Sequence, residues 1–216
     1  MTDRKGHSGK TLFQHSHFVW SVVAQFFYVA AQVGIAALFI NYCTEKNLGI
    51  TNERAAYYLS GSLLLFTIGR FVGTGIMKRI APNKLLAIYA AVNVFLSIGV
   101  VWLNGMVSVY ALMTIFFFES IMFPTIFALG VKNLGGYTKK GASFIIMSIV
   151  GGALVPYVMG WLAQHKSTPF SYIVPMFCFV IVFVFAIYGY KSDLNYEQEI
   201  LPRLEPEGQP GVNTPI

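Results

Sequence analysis

Apolar residues along this chain gather into long uninterrupted runs, not into the alternating or three-four patterns of water-soluble elements. Six runs approach or exceed the roughly 20 residues that a helix needs to cross the hydrocarbon core of a bilayer. They cover about 18–42, 57–77, 85–103, 107–131, 141–163 and 170–190. The pattern predicts an all-α membrane protein with six transmembrane helices in one bundle, residues 18–190. The first run is too long to be a secretory signal, and no small-residue cleavage site lies near enough to it. Aromatic residues near the run ends (Phe18, Trp20, Tyr42, Tyr57, Tyr58, Trp161, Tyr188 and Tyr190) suit the two bilayer interfaces.

Composition sharpens this reading. Hydrophobic residues make up 56% of the 216, and charged residues only 11%, against roughly 25% in ordinary globular domains. Mean hydropathy is +0.61. The formal charge of +6 does not point to nucleic acid, because the bases sit in short clusters between apolar runs. The leader 1–17 holds Arg4, Lys5 and Lys10; loop 78–84 holds Lys78, Arg79 and Lys84; loop 132–140 holds Lys132, Lys139 and Lys140; the tail adds Lys191 and Arg203. Those 11 bases fall on one side, against Lys46, Arg54 and Lys166 on the other. The excess of bases predicts that both termini of this multi-pass protein are cytoplasmic. The tail 191–216 is acidic and rich in proline, and it reads as disordered.

Polar groups inside spans are costly and need a reason. Gln25, Tyr28 and Gln32 follow at spacings of 3 and 4, so they fall within about 60° of arc on one helix. Such a stripe suits hydrogen bonding to a neutral polyhydroxylated solute, or to a neighbouring helix. Glu119 is the only acid within a run, roughly 18 Å from the outer end and so near the midplane. It reads as a solute contact, as a titrating group in a wet cavity, or as a neutral carboxyl bonded to a neighbouring helix. Arg70 is the only base within a run, about 10 Å from the inner edge and close enough to snorkel. A structural role near an inner gate fits it. Asn41 and Phe123 are further solute candidates, the ring as a surface for an apolar sugar face. Gly69-x-x-x-Gly73 and Gly151-Gly152 read as helix-packing positions.

Several apparent motifs carry nothing. Gly9-Lys10-Thr11 lacks the earlier glycine of a phosphate loop, since Arg4 stands there. Cys43 and Cys178 give no metal-ligand spacing. His7, His15 and His17 lie in a basic stretch without acid or cysteine partners. No nucleophile triad or carboxylate pair lies where a soluble active site has room. Neither an enzyme, a metal site nor a cofactor is expected.

Residues 24–33, AQFFYVAAQV, resemble the start of the seventh transmembrane helix of fucose-permease-like sugar:proton symporters, a branch of the major facilitator superfamily. Gly69 to Thr74 (GRFVGT), the loop Arg79 to Lys84 (RIAPNK), Gly141 to Ile145 and Gly151-Gly152 extend the likeness. Ser120 to Gly135, which includes Pro124, is its most specific stretch. The resemblance covers about 17–190 and implies the C-terminal six-helix half of a 12-helix permease, with the leader standing in for the central loop. It implies L-fucose, glucose or galactose as substrate and the proton as coupling ion. It also implies that an N-terminal half, or a second copy of this chain, is needed. The family's coupling acids belong to the first half. Thr74, Lys78 and Ala81 depart from the superfamily's cytoplasmic loop pattern, and no family role carries over to Glu119. The rival readings are a free-standing membrane scaffold that binds a partner, and a transporting homodimer.

Overall fold

The computed structural model describes residues 12–45 and 49–191. The acidic tail beyond Lys191, and the leader before Leu12, lie outside the described residues. Among the described residues every regular element is helical. Six helices are long and apolar enough to span a bilayer. The first is α1 (Ser16–Glu45), the second α2 (Asn52–Ile76) and the third α3 (Pro82–Trp102). The fourth is divided into α4 (Met106–Glu119) and α5 (Met122–Val131). The fifth joins α6 (Thr138–Met147) to α7 (Gly151–His165) through a 3-10 turn, and the sixth consists of α8 (Thr168–Ser171) and α9 (Ile173–Ile187).

The helices outrun the apolar runs because their ends are set by caps. The second begins five residues before its run, where the Thr51 side chain accepts the Arg54 N–H at 3.3 Å. The third begins at Pro82, whose missing N–H costs nothing in a first turn. The sixth follows Ser167, which caps the Phe170 N–H, and the Glu45 carboxylate accepts the Thr168 N–H at 3.0 Å. That acid links the end of the first span to the start of the last.

Helix α1 starts at Ser16, and His15 and His17 are both buried. A ring nitrogen of His17 lies 2.8 Å from the Lys132 carbonyl. Leu12 and Phe18 pack with Leu134 and Ile145 in a small apolar cluster at this end of the bundle.

The main core lies between the first, third, fourth and sixth spans. Phe39 meets Phe116 edge-on at 5.8 Å between ring centres, and Tyr42 meets Tyr172 at 5.1 Å. Tyr42 donates its hydroxyl to the Val100 carbonyl at 2.7 Å and Tyr172 donates to the Ile35 carbonyl at 3.1 Å. The second span packs on the fourth and the fifth on the first, so these two stand at opposite margins of the core. Cys43 and Cys178 are free and buried.

Candidate functional site

The fourth span is interrupted where its sequence carries Pro124. Proline has no N–H to donate, and its ring crowds the carbonyl four residues earlier, which here belongs to Ser120. The helix opens one turn ahead of the ring, at Ser120 and Ile121. Backbone groups freed at membrane depth must find other partners, and two neighbouring spans supply them. Tyr28 on α1 donates its hydroxyl to the Glu119 carbonyl at 2.9 Å, and the Phe123 N–H faces the same hydroxyl. The phenol is thus inserted into a step of the helical ladder, a recognised cause of a kink. Arg70 on α2 donates Nε to the Ser120 carbonyl at 3.3 Å while its guanidinium lies 5.1 Å from the centre of the Phe66 ring.

Gly69 and Gly73 let the second span come close enough for that reach. A Cβ at Gly69 would strike the Phe117 carbonyl oxygen, and one at Gly73 would lie 2.5 Å from the Ile121 side chain. The fifth span is seated likewise. A Cβ at Gly151 would strike the Phe26 carbonyl, and one at Gly152 would lie 2.9 Å from Val33. All four glycines sit at backbone-to-helix contacts. Pro124 itself is exposed, because its effect falls on the preceding turn.

The predicted polar stripe divides. Gln25 and Tyr28 are wholly buried, Gln32 is half-buried and Asn41 is exposed. Both amide atoms of Gln25 are buried with no hydrogen-bond partner among the described residues, and so are both carboxyl oxygens of Glu119. Among the described residues nothing covers the outer faces of the second and fifth spans, so a side chain lining such a face would be exposed. Gln25, Tyr28 and Glu119 therefore point into the bundle. Phe123, half-buried, sits with its ring centre 6.3 Å from that of Tyr28. Arg70 is exposed except where Nε meets the break.

Sequence reasoning passed over Asn93. It lies on α3, fully buried, and neither end of its amide has a partner among the described residues. The signal was available: an amide inside an apolar run is as conspicuous as the glutamines of the first span.

At the end of the bundle where the first span begins, a cleft of about 360 Å³ opens between His17, Pro82, Asn83 and Lys132. No group of three or more His, Cys, Asp or Glu able to hold a metal occurs among the described residues.

No protein-family model matches the chain. The chain is 42% identical over 180 residues to the L-fucose-proton symporter of Escherichia coli, a match covering 83% of this chain and 41% of that protein. It is 39% identical over 191 residues to a putative glucose/galactose transporter of Helicobacter pylori, covering 86% and 47%. A crystal structure of the major facilitator superfamily transporter FucP in the outward conformation superposes with a TM-score of 0.77 at 43% identity, over 79% of this chain and 41% of that one. A second structure, of the E. coli fucose:proton symporter FucP, gives 0.79 at 40% identity, over 86% and 46%. The chain spans under half the length of these relatives. Its architecture is that of one six-helix half of the major facilitator fold.

Proposed function

We propose that this chain is the C-terminal six-helix half of a sugar permease, working with L-fucose or a related hexose and with the proton as coupling ion. In alternating access, one bundle rocks against another around a midplane site, and each contributes one wall. The observation that carries this reading is the uncovered second and fifth spans, on a chain that matches under half of each symporter or transporter it resembles. The second wall comes from an N-terminal six-helix half or from a second copy of this chain. Gln32, Asn41 and Phe123, each with exposed surface, are the residues placed to meet solute. Gln25, Tyr28 and Glu119 support that wall from within, and Arg70 braces the break from its open side.

Reconstitution tests the proposal. The purified chain in liposomes is expected not to accumulate L-fucose, glucose or galactose under an inward proton gradient. Co-reconstitution with a matching first half should restore accumulation. Accumulation by the chain alone, rising with the square of its density, would identify a working homodimer instead. The 11-to-3 distribution of bases supports cytoplasmic termini. Asn104→Cys should react with an impermeant thiol reagent in intact cells, and Gly136→Cys only after the cells are opened. The native cysteines are buried and stay silent.

A further inference from the structure

Glu119 has only a supporting place in the wall just described, yet it is the one acid among the described residues that lies inside a span; Glu45 and Glu53 sit at span ends. Its surroundings are closed on every side. On its own helix the buried Ile115 and Phe116 share its face. The first span contributes Tyr28, whose hydroxyl is donated to Glu119's own backbone carbonyl. The second contributes Arg70, but its Nε is engaged by the Ser120 carbonyl and neither carboxyl oxygen receives a hydrogen bond. From the sixth comes Tyr172, already donating to Ile35. The third presents Tyr89 to the Phe118 ring and buries the neutral Asn93. Tyr28 and Tyr172 both lie within electrostatic range of the carboxyl.

An unpaired anion is among the costliest groups a membrane interior can hold, whereas a carboxyl that holds a proton is neutral and gains a donor. The adjoining open turn is where such a donor has somewhere to go, because the Ser120 carbonyl has no helical partner at Pro124 and meets Arg70 Nε at 3.3 Å. The break is also the weakest point of the ladder, and so the point through which water would first reach the carboxyl when the two segments of the fourth span shift.

We propose that Glu119 is a proton-binding site of this bundle, occupied while the break in the fourth span is sealed and released to water when the break is hydrated. The carboxylate takes a proton from water on one side of the membrane and returns it to water on the other; no electrons move. The use of the site rests on the proton-coupled permease reading, but the site itself is testable without it.

Infrared spectroscopy of the purified full chain in lipid nanodiscs at neutral pH reads the group directly. A carbonyl band of a protonated carboxyl is expected above the amide bands. It should shift down in D2O and on 13C-carboxyl labelling of glutamate, and disappear in Glu119→Gln. Should that variant fail to insert, Glu119→Asp in the same labelled background removes the glutamate-labelled band. Absence of the band in the unaltered chain overturns the proposal, as does a band that survives either substitution or ignores D2O. In the chain paired with a first half, Glu119→Gln should lose proton-driven accumulation and keep sugar exchange. A pair that transports without the band would sink the proton site and leave the permease reading standing; a band without transport would do the reverse.

Discussion

The second and fifth spans differ from the other four in what they touch. In the most apolar stretch of the second, 17% of residues are buried, and in the fifth 22%, against 39 to 50% in the rest. Yet the marginal pair is not polar: the second exposes Phe71 and the fifth exposes Tyr157, each at 77%. Lipid accepts such side chains as readily as a protein partner does, so exposure alone does not distinguish the two. The manner of attachment does. Each marginal span rests on its inner neighbour through a pair of glycines, Gly69 and Gly73 on the fourth, Gly151 and Gly152 on the first. Such close contacts hold helices together in lipid, where association depends on packing. They leave the remaining helix face open to a second bundle.

If that face receives the other half of a permease, the largest effect appears at its surface. Spin labels at Phe71→Cys and Tyr157→Cys should lose nearly all their collisions with dissolved oxygen once a matching first half is present. A label at Phe95→Cys, 71% exposed on the third span, should keep its own. Equal protection at all three sites would mean that the partner surrounds the bundle, and no change at any would mean that the marginal spans face lipid alone.

The glycine seats are expected to give the next largest effect. Gly69→Ala and Gly151→Ala place a methyl against a backbone carbonyl, an overpacking that costs about 1–3 kcal/mol. Gly160→Ala, with nothing within 4 Å, should stay within about 0.5 kcal/mol of the unaltered chain. Denaturation of the purified chain from mixed micelles by SDS, followed by circular dichroism, separates these outcomes. If all three behaved alike, the marginal spans would not be seated by close approach.

The six spans were legible because a long apolar run has a single solution in a bilayer. Their ends were not, since Thr51 and Ser167 act through local hydrogen bonds and Pro82 through its missing N–H, none of which hydropathy registers. The interruption of the fourth span was written in Pro124, but its consequence lies one turn earlier, and its props come from residues 92 and 50 positions upstream of Ser120. The stripe of Gln25, Tyr28 and Gln32 shows the same limit. A helical projection puts three side chains on one face, but it does not say that the neighbours change along it. Lower on the helix they are core, and one turn above Tyr28 they thin out until Gln32 is half-buried. Asn93 was readable by the rule that marks Glu119, but a lone amide on a helix forms no stripe to set it apart.

The break offers the finest test, because an inner and a marginal span grip it from opposite sides. Tyr28 is buried and its hydroxyl lies 2.9 Å from the Glu119 carbonyl, so Tyr28→Phe leaves a buried acceptor without a donor, at about 1–3 kcal/mol. Arg70 is exposed and its bond is longer, 3.3 Å, so Arg70→Met should cost less, on the order of 0.5 kcal/mol. Pro124→Ala decides whether the break is the cause. With an alanine N–H restored at 124, the helix can close onto the Ser120 carbonyl, and the props lose their purpose. In that background Tyr28→Phe should cost less than in the original chain by about 0.5–1.5 kcal/mol, a coupling of the size found between residues sharing one network. Additive losses would mean that Tyr28 stabilises the bundle by packing alone, and that the proline and the phenol merely lie side by side.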